Sequence, residues 1–389
     1  MNTAPSVLFI YPGEARQARL KEIETGEAPE DFFYGYPHIR DLGFKVALGN
    51  SRKTPVGICN KVLLGYERIR NRYINFGLAS SRVIALSDEI SAYDLALSFN
   101  DFFSLSMGLY RKRIKGNTVL LGGFHGLSDL PERVPPVLRS YAINLITRAL
   151  EGLDHLFFSG EIDREVAIEM FAIPREKTSY YPFGVDADFW QPAQSETPHH
   201  GILSVGSDPS RDFETLINAD VDDDVRIITR LNIKAPIDKP NVEIIRGSLN
   251  KSPITDIALR EIYQSAKIVV VPLKDVWQPT GCSVTLQAMA CGKPVVISQI
   301  KGLWDTDILK SGENCILVPP GDPQALSEAL RRLDCDADLR RRLGAEARRT
   351  VEQHFTISRM ENALEAMIRD QAQQHKIGTH PRTNSVTTQ

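Results

Sequence analysis

Hydrophobic residues along the chain alternate between short continuous runs and longer segments with helical spacing. The runs are rich in Val, Ile, Leu and Phe, which is typical of parallel strands covered by helices on both faces. In the first half they predict strands at Val7–Tyr11, Lys45–Leu48, Leu95–Phe99, Thr118–Leu121, His155–Ser159 and Ser179–Tyr181. Helical spacing predicts helices at Asn60–Asn75, Pro136–Glu151 and Ile162–Phe171. This alternation predicts a doubly wound α/β domain.

A polar segment, Gln191–His200, separates this half from a second one with the same pattern. It reads QPAQSETPHH, and its two prolines indicate a surface connection between domains. Beyond it we predict strands at Ile202–Val205, Val225–Thr229, Val242–Arg246, Ile268–Pro272, Pro294–Ser298 and Cys315–Val318. Helices are predicted at Arg211–Ala219, Asp256–Ala266 and Ser283–Ala290, and three more between Pro323 and Gln374. We therefore predict domains at 1–190 and 191–376, a final helix free to pack back on the first domain, and a disordered polar tail at 377–389.

Composition narrows the class of protein. The formal net charge of -3 over 389 residues argues against a nucleic-acid partner. The five cysteines are scattered, without the paired spacing of a zinc site or a disulfide framework, which favours a reducing compartment. No apolar run approaches the length of a membrane span, and the first residues do not resemble a signal peptide. We expect a cytoplasmic globular protein.

The segment 278–298, QPTGCSVTLQAMACGKPVVIS, carries the clearest chemical signal. A loop containing Gly281 enters a helix near Ser283, and a buried strand follows. Free backbone N–H groups at such a helix start, reinforced by the helix dipole, suit a diphosphate. Gln287, farther along the helix, could reach a group joined to that diphosphate. The alternative is an ordinary β-loop-α-β unit whose glycines only make turns.

This segment resembles the nucleotide-sugar signature of retaining glycosyltransferases of family 4, in which Glu-Ala-Met-Ala-x-Gly-x-Pro-Val is usual. Here the stretch 287–295 reads QAMACGKPV. Three further stretches match in order, at Tyr181–Asp186, Gly201–Leu216 and Asn314–Leu330. The resemblance implies the GT-B architecture, with two doubly wound Rossmann-like domains facing a central cleft. It also implies sugar transfer with retention from a nucleotide-sugar co-substrate, a UDP-sugar by our expectation, without metal or other cofactor. The acceptor is not indicated.

The resemblance assigns roles to individual residues. Arg211 falls where the family places a cation on the diphosphate, and we predict that it is catalytic. The alternative for Arg211 is a surface pair with Asp212 or Glu214 at a helix start. The residues predicted to bind the donor are Gly13, Ser207, Arg211, Ser248, Leu249, Gly281, Cys282, Ser283, Val284 and Gln287.

This chain departs from the family pattern at its acidic positions. The first acid of the family's pair would fall at Gln278 or Pro279, and Gln287 replaces the second. An amide can still accept a hydroxyl hydrogen bond, although it carries no charge. These losses keep two rivals open. One is a non-catalytic GT-B subunit that binds a nucleotide or a partner, and the other is a sugar-nucleotide epimerase of the same architecture.

The first half contributes candidates at the carboxyl ends of its strands, where ligands enter α/β sheets. His125 follows a predicted strand and lies between glycines, and the resemblance implies contact with the donor sugar. Asn100 and Asp101 follow the preceding strand, and we predict that they bind the acceptor. The alternatives are a cleft-lining histidine without a role and an N-cap for the next helix.

Two basic clusters also lie in the first half. The first comprises Arg68, Arg70 and Arg72, and the second comprises Arg111, Lys112, Arg113 and Lys115. They predict either solvated helix faces or a surface for an anionic membrane or a phosphorylated acceptor.

Overall fold

The computed structural model describes residues 4–11, 15–49, 58–75, 77–194, 200–234, 236–247 and 254–377. The first domain contains one parallel sheet of six strands in the order β2-β1-β3-β4-β5-β6. Its strands are β1 Ser6–Ile10, β2 Lys45–Leu48, β3 Leu95–Ser98, β4 Val119–Phe124, β5 His155–Phe158 and β6 Thr178–Tyr180. All six predicted strands are confirmed to within three residues at each end.

Helices cover both faces of this sheet, and its central strands are therefore buried throughout. They are α1 Ala15–Glu24, α2 Tyr36–Asp41, α3 Ile58–Ile74, α4 Ser80–Ile90, α5 Asp101–Leu109, α6 Arg139–Glu151 and α7 Glu161–Phe171. The predicted helices correspond to α3, α6 and α7. The other four are short, or carry the mixed polar pattern of Ser80–Ile90 and the near-uniform apolar pattern of Asp101–Leu109, and the spacing argument did not identify them.

The second domain repeats the design with a different strand order. Its six-stranded sheet runs β12-β11-β10-β7-β8-β9. The strands are β7 His200–Val205, β8 Val225–Thr229, β9 Val242–Arg246, β10 Ala266–Val271, β11 Val295–Ser298 and β12 Ile316–Val318. The helices are α8 Phe213–Asn218, α9 Asp256–Ser265, α10 Cys282–Ala290, α11 Pro323–Cys335, α12 Ala337–His354 and α13 Ile357–Gln374. The strand β7 begins at His200, which the sequence placed in the connection.

The strand orders locate the crevice where each domain can bind a ligand. In the second domain the order reverses between β7 and β10, which are hydrogen-bonded neighbours. In the first domain it reverses between β1 and β3. Open α/β sheets bind ligands at the carboxyl ends of strands beside such a reversal. The predicted fold class, two doubly wound α/β domains, is confirmed.

The last helix returns to the first domain. Met360, Leu364 and Ile368 on α13 are fully buried in the same apolar cluster as Phe9 of β1. Ile377, which the sequence assigned to the polar tail, also packs against that cluster, and the rest of the predicted tail lies outside the described residues. Among the residues that the structure describes, no helix combines the length and apolar character needed to cross a bilayer.

Candidate functional site

Two loops meet at the crevice between β7 and β10. The loop after β7 lies against the loop after β10, with the amide of Asp212 donating to the carbonyl of Pro272 at 3.0 Å. The amide of Lys274 donates to the carbonyl of Ser210 at 2.9 Å, and Arg211 forms a bridge with Leu273 between these bonds. Since the second loop continues to Gly281, this pairing holds the Arg211 segment beside the approach to α10.

Arg211 is buried at this crevice, with 6% of its surface exposed. Within the described part of the chain, its Nε and Nη1 atoms have no hydrogen-bond partner. Its guanidinium lies against Gly206, where an added Cβ would come within 2.2 Å of Nε. Burial lowers the pKa of Arg211 to about 10, so the side chain remains a cation at neutral pH. A buried guanidinium with two unpaired nitrogens is costly unless an anion binds it.

The surface-pair alternative for Arg211 is wrong. Asp212 caps α8, with its carboxylate accepting from the amide of Thr215 at 3.2 Å and from the Thr215 hydroxyl at 2.6 Å. The helix begins at Phe213, two residues later than the sequence suggested, because Asp212 is the N-cap. Arg211 therefore precedes the helix and points into the crevice region beside Gly206 and not along the helix surface.

The start of α10 has the geometry expected of an anion site. Gly281 is the N-cap with a φ of 83°, a conformation that favours glycine. An added Cβ at Gly281 would also lie 2.9 Å from Val271, so packing against β10 demands a glycine here as well. Cys282, Ser283 and Val284 form the first turn, whose N–H groups lack partners inside the helix. Their donor-binding role stays a prediction.

Gln287 points toward the first domain. Only 3% of it is exposed, and its Nε2 donates to Oδ2 of Asp31 at 3.1 Å. Asp31 is fully buried and also accepts from Nε1 of Trp190 at 2.7 Å and from the amide of Asp186 at 2.6 Å. Burial raises the pKa of Asp31 to about 6 although these bonds favour the ionised form. The sequence did not identify Asp31, because it follows Glu30 and precedes a run of aromatic residues without any motif that singles it out.

The loop before α10 is also joined to the first domain. Asp129 accepts hydrogen bonds from the amides of Trp277 and Gln278, at 3.2 and 2.7 Å. The Gln278 side chain accepts from Nη2 of Arg133 at 2.9 Å and donates to Asp208 at 3.2 Å. Gln278, which stands near the family's first acidic position, thus connects the two domains.

His125 lies at the end of β4, next to this junction. Its Nε2 donates to the carbonyl of Phe99 at 3.1 Å, since a carbonyl can only accept, and its Nδ1 lies 2.8 Å from the Ser159 hydroxyl. An added Cβ at the next residue, Gly126, would lie 2.9 Å from Gln278, so His125 borders the cleft. Both ring nitrogens already have partners in the first domain.

The acceptor candidates have structural partners too. Asn100 caps α5 by accepting from the amide of Phe103 at 3.2 Å, which is the N-cap alternative. Asp101 accepts from the amide of His125 at 3.1 Å and so helps to place that residue. Neither contact tests acceptor binding.

The remaining candidates fall into two groups. The hydroxyl of Ser207 accepts from the amide of Arg230 at 2.9 Å, at the carboxyl ends of β7 and β8. Gly13, Ser248 and Leu249 lie outside the described residues. In the described ranges, no group of three or more His, Cys, Asp or Glu side chains is arranged to hold a metal ion.

Solved structures share this two-domain fold. The sucrose-phosphate synthase of Thermosynechococcus elongatus aligns with a TM-score of 0.68 and 17% identity, covering 95% of this chain and 100% of that one. The Anabaena protein HepE, solved in complex with UDP-glucose, aligns with a TM-score of 0.66 and 15% identity over 94% of this chain and 100% of that one. At these identities the alignments show a shared fold, the GT-B architecture of two Rossmann-like domains.

Sequence comparisons give matches over parts of this chain. Residues 234–336 match the family described as Glycosyl transferases group 1. The MMP alpha-(1->4)-mannosyltransferase of Mycolicibacterium hassiacum is 26% identical over 58% of this chain and 56% of its own length. An uncharacterized glycosyltransferase of Methanocaldococcus jannaschii is 35% identical over 25% of this chain and 24% of its own. The matches thus span about half of the first relative and a quarter of the second. The resemblance to group 1 glycosyltransferases with the GT-B fold is confirmed.

Proposed function

We propose that this protein transfers a glycosyl group from a UDP-sugar to an acceptor held by the first domain, with retention of configuration and without metal or other cofactor. The donor binds at the crevice between β7 and β10, and the acceptor binds across the cleft, near Asn100 and Asp101. The observation that carries the proposal is the buried Arg211 guanidinium, whose Nε and Nη1 lack partners among the described residues at that crevice.

Charge stabilisation is the chemistry that these groups can supply. Negative charge develops on the diphosphate as the bond to the sugar breaks, and Arg211 can donate to its oxygens. The N–H groups of Cys282, Ser283 and Val284 add the positive end of the α10 dipole. Donors fixed in a site that excludes water stabilise such charge without reorganisation. No covalent nucleophile is required, and His125 borders the reacting region.

The nature of the donor is supported by the relatives. HepE was solved with UDP-glucose and also with UDP alone, and its fold covers nearly all of this chain. A second candidate function is a non-catalytic GT-B subunit. It is favoured by Gln278 and Gln287, which stand at the family's acidic positions and hydrogen-bond across the domain junction to Arg133 and Asp31.

The donor site is tested with UDP and with one substitution. UDP should raise the melting temperature, because a ligand that binds only the folded state at about a hundredfold excess over its Kd adds about 2.7 kcal/mol. Arg211→Ala should reduce this shift and lower donor turnover by roughly ten- to a thousandfold, the range for losing one charge-stabilising donor. The matched control is Arg226→Ala, which removes a partly exposed arginine of the same domain that pairs with Glu243.

The products separate the candidate functions. Slow release of UDP from a UDP-sugar supports a transferase, and interconversion of the sugar supports an epimerase. Binding of UDP without turnover of any donor supports the non-catalytic subunit. No thermal shift with any nucleoside diphosphate, or an unchanged shift in Arg211→Ala, would contradict the assigned donor site.

A further inference from the structure

One face of α3 exposes a stripe of large apolar side chains. Val62, Tyr66, Ile69 and Tyr73 are each between 55% and 69% exposed. Their spacing of four, three and four residues places them on a single side of the helix. Ile74, beside this stripe on α3, contributes to the first-domain core. The four stripe residues are surplus to that packing, because more than half of each side chain is exposed.

The stripe continues onto the start of α6. The Tyr141 hydroxyl hydrogen-bonds with that of Tyr66, and Tyr141 is itself exposed. Val137, four residues earlier, is also exposed. The interfacial patch is defined by these six residues, Val62, Tyr66, Ile69, Tyr73, Val137 and Tyr141. In the described ranges nine large hydrophobic side chains are exposed, and six of them belong to this patch. Such clustering marks an interaction site.

The charge around the interfacial patch is positive. Arg68 and Arg72 are exposed on α3, and Arg148 is exposed on α6 near Tyr141. No acidic side chain pairs with these three arginines in the part of the chain that the structure describes. The nearest acid along α3, Glu67, turns away and accepts from the amide of Ser81 at 2.6 Å.

The structure also separates the patch from the other basic residues. Arg70 donates to the Ser80 hydroxyl at 3.1 Å and its guanidinium lies 5.7 Å from the centroid of the Tyr66 ring, but it is buried and so adds no exposed cation to this surface. In the second basic cluster, Arg111 pairs with Asp154 and Lys115 pairs with Asp88. That cluster precedes β4, at the amino end of the sheet. Among the described residues, exposed aromatic rings lie beside arginines without acidic partners only on α3 and α6.

We propose that the interfacial patch docks the first domain on an anionic lipid bilayer. Tyrosine rings suit the headgroup boundary, because one end of the side chain is apolar and the other is wet. The aliphatic side chains of Val62, Ile69 and Val137 can insert toward the acyl chains. Arginines beside them are attracted to anionic lipid phosphates. A second copy of this chain fits poorly, because a two-fold contact through this patch would bring its unpaired arginines against each other.

Sedimentation with vesicles tests the proposal on the full chain. Wild type should bind vesicles of about one part phosphatidylglycerol to two parts phosphatidylcholine, and the binding should weaken with salt. Ile69→Glu and Tyr73→Glu should each lower the partition coefficient about tenfold or more, because each replaces an inserted apolar group with a repelled charge. Arg68→Gln should lower it about fivefold, the share of one cation near the surface.

The matched control is Ile237→Glu, which makes the same change at a fully exposed hydrophobic residue of the second domain. It should leave vesicle binding unchanged. All of these positions are exposed, so circular dichroism melts should match wild type. The proposal is overturned if wild type does not bind the anionic vesicles, or if the α3 variants bind as wild type does. It is also overturned if light scattering shows that wild type is a dimer and the α3 variants are monomers.

Discussion

Asp31 accepts three hydrogen bonds from two separate parts of the chain. Gln287 belongs to α10 of the second domain, and Asp186 and Trp190 lie at the end of the first domain, which also contains Asp31. Gln287 carries an amide where the family pattern has an acid. This amide donates a hydrogen bond to the buried carboxylate of Asp31. A glutamate at 287 would bring two carboxylates together in a buried site.

We expect Gln287→Glu to destabilise the fold by about 2–5 kcal/mol, because it removes a donor and adds like-charge repulsion in a buried site. The loss should be smaller at pH 5 than at pH 8, since one of two adjacent carboxyls then holds a proton. Denaturant unfolding at both pH values measures it. The double variant Asp31→Asn with Gln287→Glu should recover part of the loss, although the new amide at 31 must give up one of the donors that the carboxylate accepted. A loss in the double variant equal to the sum of the losses in Asp31→Asn and Gln287→Glu alone would show that the two side chains are not coupled.

Carboxylates hold the segment between β4 and α6, which contains short 3₁₀ helices at Leu127–Asp129, Pro131–Arg133 and Pro136–Leu138. Asp163 on α7 accepts from the amides of Leu127 and Ser128, at 3.3 and 3.0 Å. Asp129 then accepts from the loop that precedes α10. Because Asp163 is fully buried and lies near the charges of Asp101 and Asp129, its pKa is raised to about 7. This short segment thus links α7 to the loop that precedes α10 through hydrogen bonds.

The Asp163 proton gives this element a pH dependence. The folded state holds the proton up to a pH of about 7, whereas the unfolded carboxyl loses it near 3.8. The folded state therefore loses stability as pH rises between these values, on the order of a few kcal/mol. Asp163→Asn stays neutral, so its stability relative to wild type should rise through the same window. Urea unfolding across that window measures the difference. Exposed Asp188→Asn is the control and should leave the pH profile of unfolding unchanged. Parallel profiles for wild type and Asp163→Asn would contradict the assignment.

The last helix, α13, packs on the first domain although it follows the second domain in the chain. The chain leaves the first domain at the connection, builds the second domain, and returns with α13 to complete the first-domain core. The end of the first domain lies against the start of α13. The amide of Val185 donates to the carbonyl of Phe355, and the amide of Ile357 donates to the carbonyl of Val185. The first domain therefore depends on residues far away in the sequence from most of its sheet.

Leu364→Ala tests this dependence. Leu364 is fully buried and lies against Gly35, where an added Cβ would be 3.0 Å from its Cδ2. Its truncation should cost about 2–5 kcal/mol, the range for a buried leucine. Hydrogen exchange should place the loss in β1 and β3 of the first domain. The control is Asn362→Ala on the exposed side of α13, which should change the unfolding free energy little. A loss confined to the second domain would mean that α13 does not stabilise the first.

The strands and most of the long helices could be predicted from local periodicity, because neighbouring residues decide whether a strand or a helix starts. Gly281 before α10 likewise indicated a β-loop-α-β unit, whereas the GT-B architecture was implied only by the resemblance to a known family. Periodicity did not reveal the short helices α1 and α2, the polar face of α4, or the uniformly apolar α5. Those helices form because the sheet beside them needs a cover.

The contacts of the site residues could not be predicted from the sequence. Asp31 and Gln287 are 256 positions apart, and no local pattern links this acid to an amide in a distant helix. The same holds for Arg211, whose burial against Gly206 replaces the surface pair that its acidic neighbours suggested. The surroundings of the basic clusters also depend on the fold. Arg70 is buried, and Arg111 and Lys115 of the second cluster have acidic partners. Charge and polarity are read along the chain, but burial and partners depend on which distant segments the fold brings together.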